Sequence, residues 1–233
     1  MIFFDRRMLI EVLYDKIQDK SRVLTDQRVQ SIRNGASDVT VTTTTGRKFT
    51  GNIVVGADGI HSTVRQEMWK EAQKIDPSWI DPSEASGMYT ATNAYILADP
   101  PRKALPATYS CIFGISEGVK GIEKGTLHSV FNEHFSYLVP SGPGDRTYWF
   151  LVFNMGKTLY GDDIPRFSEA EEKAVAKEHW NDRITPTLQF SDLYKSKIAS
   201  VLTTLPEYVY KKWYFQRMIT IGDASHKVHL SLA

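Results

Sequence analysis

Asn52-Ile53-Val54-Val55-Gly56-Ala57-Asp58-Gly59-Ile60-His61-Ser62-Thr63-Val64-Arg65 is the stretch on which the reading of this chain turns. Its apolar opening reads as a buried strand. The Asp58-Gly59 pair lets the backbone turn tightly where no side chain obstructs it. Arg65 then returns a fixed positive charge one helical turn later, an arrangement suited to a pyrophosphate. An Asp-Gly pair after a strand is ordinarily only a turn. Here it carries Gly56 before it, and behind it a helix through Val64, Met68 and Trp69, with Thr63 and Gln66 as the expected capping box.

Working back towards the N-terminus, Lys48-Phe49-Thr50-Gly51-Asn52-Ile53-Val54-Val55 reads as one strand, joined to Val39-Thr40-Val41-Thr42 by a turn at Gly46. Leu9, Val12, Leu13 and Ile17 follow helical spacing from Met8 to Ile17, with Asp5 placed to cap the start. Forward of the quoted stretch the texture changes. From Ile75 to Gly156 the chain is rich in aromatic and β-branched residues, which points to an antiparallel sheet. Its strands are expected at Met88 to Leu97, Tyr109 to Phe113, Ser129 to Val139 and Thr147 to Asn154, with a turn at Pro140 to Asp145. Ser168 to Asn181 opens as Ser-x-x-Glu and reads as a helix. Trp213 to Ile221 reads as a last strand ending at Gly222-Asp223.

That ending is the second motif, Arg217-Met218-Ile219-Thr220-Ile221-Gly222-Asp223-Ala224-Ser225-His226-Lys227. A carboxylate at the carboxyl end of a buried strand can accept two hydrogen bonds from adjacent ribose hydroxyls. Asp223 is that candidate, and an Asp capping a following turn is the plainer alternative. A third pattern, Arg6-x-x-Leu9-x-x-x-Leu13, places Arg6, with Arg7 as its substitute one residue on, at the start of the first helix.

Composition narrows the classes. At 233 residues and 42% hydrophobic, the chain can bury a real core in one large or two modest domains. A formal net charge of +1, with both signs interspersed, gives no footprint for nucleic acid or an anionic membrane. One cysteine, Cys111, excludes an internal disulfide and fits the cytoplasm. Neither a signal peptide nor a membrane-spanning apolar run is visible.

Other constellations compete. Gly114-Ile115-Ser116-Glu117-Gly118 matches the nucleophile-elbow pattern of serine hydrolases, but the glycines that follow deny it the required helix. His226-x-x-His229 could present two metal ligands, without a third at metal-site spacing. Tyr137, Tyr148, Trp149, Phe150 and Phe153 could line an apolar pocket or simply pack the sheet.

The segments FFDRRMLIEVLYDKI and VVGADGIHSTVR and the strand from Trp213 to Lys227 resemble group A FAD-dependent monooxygenases. Within that family they look most like fungal epoxidases of prenyl chains in meroterpenoid and indole-diterpene biosynthesis. The resemblance implies an α/β (α+β) fold: a glutathione-reductase-type FAD-binding domain from 1–74 and 212–233, interrupted by an antiparallel substrate domain at 75–211. It implies FAD reduced by NADPH, with one atom of dioxygen passed to an electron-rich ring or alkene of an apolar small molecule. Arg6, Asp58, Gly59, Arg65, Gly222 and Asp223 would then contact the cofactor, and no residue need be an acid or base. The family normally opens with a Gly-x-Gly-x-x-Gly unit and continues past the Lys227 position with a Gly-x-Gly turn. Neither occurs here, so a truncated protein is expected, with a non-catalytic binding fragment as the alternative.

Overall fold

A computed structural model of the chain describes residues 3–81, 84 and 106–227. The strand expected at Met88 to Leu97 lies outside the described residues, as does His229. Four sheets and four α-helices appear among the described residues.

Helix α1 (Arg6–Lys16) forms where the spacing predicts, but none of its residues is buried. Leu9, Val12 and Leu13 are 42, 56 and 58% exposed. The Asp5 side chain does not cap it; its carboxylate instead pairs with Arg146, far along the chain.

Strands β1 (Val29–Asn34), β2 (Val39–Thr43) and β3 (Lys48–Gly51) make an antiparallel meander. The expected single strand from Lys48 to Val55 is two. It breaks at Asn52-Ile53, after which β4 (Val54–Gly56) joins a different sheet beside β12 (Met218–Thr220), in parallel. The expected last strand is also two. Gln216, at φ 51°, turns β11 (Tyr214–Phe215) back into β12 as a tight hairpin. A short pair, β10 (Tyr208–Val209) with β13 (His226–Lys227), closes this region.

Helix α2 (Thr63–Ile75) begins where expected, with a different cap. Ser62 is the N-cap, its Oγ accepting from the Arg65 amide at 3.0 Å. Val64, Met68, Trp69 and Ala72 fall on one helical face and are buried together with Ile80, Tyr210, Phe215 and Met218.

The large sheet has five antiparallel strands in the order β6 (Leu127–Phe131), β7 (Phe135–Pro140), β8 (Arg146–Tyr160), β5 (Pro106–Glu117), β9 (Lys197–Pro206). The expected strand from Ser129 to Val139 is divided between β6 and β7 by a turn closed by the Asn132 amide on the Phe135 carbonyl at 3.0 Å. Helix α3 (Glu169–Glu178) has the full capping box, Ser168 with Glu171, that its sequence announces. Helix α4 (Phe190–Lys195) is too short for a helical period to register.

Side chains of the central strands alternate between faces, as strand geometry requires. One face buries Ile112, Trp149, Leu151 and Leu202 against Ala176 of α3 and Phe190 and Leu193 of α4. The opposite face carries Cys111, Phe113, Phe150 and Val152. Glu172 of α3, 5% exposed, ties this layer to the edge strand β9. It accepts from Ser200 Oγ at 2.5 Å, Tyr194 Oη at 3.1 Å and Lys197 Nζ at 3.2 Å. Burial alone would raise its carboxyl; the Ser200 hydroxyl and Lys197 ammonium outweigh that and hold it below the usual carboxylate range.

Candidate functional site

Parallel pairing of β4 with β12 sets Val54 opposite Met218, Val55 opposite Ile219 and Gly56 opposite Thr220. The Ile221 amide donates to the Gly56 carbonyl at 2.9 Å and continues the register past both strands. The loops carrying Asp58-Gly59 and Gly222-Asp223, remote in sequence, therefore leave the same end of one sheet. Crevices beyond the carboxyl ends of parallel strands are where such sheets bind ligands.

Within the first loop, Asp58 is occupied by its own turn. Its Oδ1 accepts from Ser62 Oγ at 2.5 Å and its Oδ2 from the Val64 amide at 3.1 Å. Together with Ser62 it satisfies the Val64 and Arg65 amides of the first turn of α2. Gly56 is enclosed: a Cβ there would sit 2.5 Å from Val64 Cβ. Gly59 is the reverse, at φ 78° with nothing within 4 Å of a Cβ, so its backbone is open to approach. Gly222, at φ 58°, is open in the same way.

Arg65 differs most from its expected surroundings. It is 0% exposed, its guanidinium donating to the Ile60 carbonyl at 2.6 Å and the Ala224 carbonyl at 2.7 Å. It lies 4.4 Å from the Tyr210 ring centroid and 5.7 Å from that of Trp69. One side chain thus ties the first loop to the second. The Asp223 side chain, by contrast, is 58% exposed, with Lys227 Nζ 4.0 Å away. Its main-chain carbonyl accepts from the Tyr208 hydroxyl. Tyr208 and Tyr210 escape the sequence reading; their alternation just ahead of the second motif is the signal that could have marked them.

Arg6 is exposed at the start of α1, whereas Arg7 pairs with Glu11 at 2.8 Å. Arg6 lines an open cleft of about 730 Å³ on the face of the large sheet turned away from α3 and α4. Its walls are chiefly Phe3, Phe113, Tyr148, Phe150 and Val201. The expected aromatic set is therefore split. Tyr148 and Phe150 line this cleft, while Tyr137, Trp149 and Phe153 pack the other face. A second cleft, about 760 Å³, brings Ile60 and His61 of the first loop against Arg166, Thr203 and Thr204. Val201 of β9 borders both.

The hydrolase pattern has no elbow. Ser116 lies inside β5, 0% exposed, its hydroxyl donating to the Leu193 carbonyl at 2.6 Å and accepting from Trp149 Nε1 at 2.8 Å. A nucleophile needs an exposed hydroxyl on a strand-to-helix turn, and this one is a buried bridge. His226 stacks on Trp213 at 5.1 Å. Among the described residues no three side chains are grouped to hold a metal, and no helix is long and apolar enough to cross a membrane.

No protein-family profile matches the chain. Curated relatives do. It is 34% identical over 226 residues to the FAD-dependent monooxygenase ptmM of Penicillium ochrochloron, covering 97% of this chain and 50% of that protein. It is 35% identical over 229 residues to the FAD-dependent monooxygenase spyC of Aspergillus fumigatus, covering 98% and 45%. To asqG of Emericella nidulans it is 36% identical over 230 residues, covering 98% and 37%. Among solved structures, Klebsiella pneumoniae HpxO with FAD and uric acid superposes with TM-score 0.60 at 17% identity, over 95% of this chain and 48% of that one. The 2,6-dihydroxypyridine-3-hydroxylase of Arthrobacter nicotinovorans gives 0.58 at 13% identity, over 90% and 51%. The chain spans about half the length or less of the relatives it matches. Over nearly its whole length, it is a homologue of the FAD-dependent monooxygenases.

Proposed function

We propose that this chain is the part of an FAD-dependent monooxygenase that joins one side of the cofactor cradle to the substrate sheet, acting in fungal secondary-metabolite biosynthesis. The observation that carries the reading is the parallel pairing of β4 with β12, which sends Gly59 and Gly222-Asp223 from the same sheet end. Bare backbone at both glycines and an exposed carboxylate beside them suit a polyol linked to a pyrophosphate. When bound, FAD supplies the redox chemistry that transfers one oxygen atom from dioxygen.

The chain's residues then divide by what they touch. Asp223 accepts hydrogen bonds from ribose or ribitol hydroxyls. Gly59 and Gly222 admit the cofactor close to the main chain. Arg6, exposed at the rim of the aromatic cleft, sets a positive charge beside the flavin. Asp58 and Arg65 act one step back: the first caps α2, and the second locks the two loops together. The aromatic cleft receives an apolar terpenoid or aromatic substrate. NADPH as reductant, and epoxidation or hydroxylation as outcome, follow from the family resemblance. Buried Cys111, the one cysteine of the sequence, supports a reducing compartment such as the cytoplasm.

We also read two units here, 1–74 with 212–233 and 75–211. Trp79, Ile80, Tyr208 and Tyr210 pack on the α2 cluster, which extends the first unit a few residues at each boundary.

The test is flavin itself. The purified chain is expected to carry or take up FAD, with quenched flavin fluorescence, and to bleach when NADPH is added without oxygen. A chain that retains no flavin once excess FAD is removed, and does not quench its fluorescence, would overturn the reading and leave the non-catalytic fragment in its place.

A further inference from the structure

Among the described residues β9 is an edge strand, paired with β5 on one side only. The two clefts together are lined by consecutive residues of it, Ala199 to Thr204, and then by Pro206. Side chains of a strand alternate between faces, so a consecutive run marks the main-chain edge itself. An open edge of this length is a template for a further strand.

The short pair β10 and β13 shows which strand. Amides of an extended strand point alternately to its two edges. The Glu207 amide donates to the Pro106 carbonyl at 3.0 Å, towards β5, whereas the Tyr210 amide donates to the Ser225 carbonyl at 3.0 Å, towards β13. Strand β13 therefore lies on the edge that β5 leaves open. Its register sets Val209 opposite His226 and Tyr208 opposite Lys227. Continued along β9, that register brings Leu230 to Leu205, Ser231 to Thr204 and Leu232 to Thr203. The sequence Val228-His229-Leu230-Ser231-Leu232-Ala233 alternates large apolar residues with polar or small ones, as a strand with one buried face does.

We propose that residues 228–233, outside the described residues, extend β13 along the open edge of β9 as a sixth strand of the large sheet. Directly opposed residues share a face. Leu230 and Leu232 then join Leu205 and Val201 on the face of Cys111 and Phe113, where Val201 is 54% exposed. Ser231 and Thr204 exchange two main-chain hydrogen bonds, and Pro206, which has no amide, accepts one from His229. The second cleft, beside Ile60 and His61 of the first loop, is thus the seat of the chain's own last strand.

The experiment is amide hydrogen exchange on the full chain, followed residue by residue by NMR. The Ser231 and Thr204 amides are expected to be protected about 10-fold more than those of Leu230 and Leu232, whose N–H groups point away from β9. Ser231→Pro removes the donor, so Thr204 should lose its protection while Tyr208 and Lys227 keep theirs. Ser231→Ala keeps the amide and should leave the pattern unchanged. Ser231 exchanging as fast as Leu230 in the unmodified chain would overturn the assignment, as would Thr204 protection that survives in Ser231→Pro. Thr204 protection that rises with protein concentration would overturn it in favour of a second copy on this edge.

Discussion

Arg65→Ala is expected to destabilise the fold by about 3–5 kcal/mol, the range for breaking a buried charged network. The substitution leaves the Ile60 and Ala224 carbonyls without their donor, and both belong to the loops proposed to cradle the cofactor. It also opens a void between Trp69 and Tyr210, whose rings pack on the guanidinium. Arg65→Lys keeps the charge yet cannot span two carbonyls with a planar fork, so it should recover only part of the loss. Urea unfolding measures both. A loss below about 1 kcal/mol for Arg65→Ala would show that the two loops hold their relation without this bridge.

Gly114→Ala should be nearly as damaging, at about 3 kcal/mol, the upper part of the range for overpacking a dense core. A Cβ at this position would lie 1.9 Å from Trp149 Cζ2, and the indole is 0% exposed. Gly114 pairs with Trp149 across β5 and β8, so neither backbone can retreat without breaking the central ladder. If the indole moves, its Nε1 leaves Ser116, the same hydroxyl that bonds to Leu193 of α4. The damage should therefore reach the helical layer. A shifted tryptophan emission together with a lowered unfolding midpoint is the expected signature; unchanged emission and stability would mean that the sheet has slack the packing does not reveal.

These two positions also mark what could be read in advance. The turn at Asp58-Gly59 and the helix that follows it were legible because glycine and aspartate act locally there, although the cap is Ser62 rather than the expected Thr63 with Gln66. Helix α3 was legible for the same reason, its capping box lying wholly within four residues. The role of Arg65 was not. An arginine beside a glycine-rich loop reads as a phosphate ligand, and only the fold brings the Ala224 carbonyl, 159 residues away, within reach. Gly114 likewise matched one position of an elbow pattern that the following glycines already disfavoured, and only strand pairing shows it set against an indole. Asp5 stands at a helix start and sequence alone makes it a cap; Arg146, brought near by the large sheet, claims it instead. The divided strands tell a related story. Lys48 to Val55 and Trp213 to Ile221 are continuous in β-propensity, and their breaks are imposed by partners in different sheets. Convergence of the two loop motifs was inferable from the resemblance, whereas the parallel register that produces it came from the fold.

The most direct measurement of the central claim is an equilibrium FAD titration of Asp223→Ala against the unmodified chain, with urea unfolding in parallel. The Asp223 side chain is largely exposed, so its removal should change stability by no more than about 0.5 kcal/mol. Losing two charge-assisted hydrogen bonds to cofactor hydroxyls should weaken FAD binding by about 100-fold. A stably folded Asp223→Ala that binds FAD as tightly as the unmodified chain would contradict a cofactor site built on these two loops.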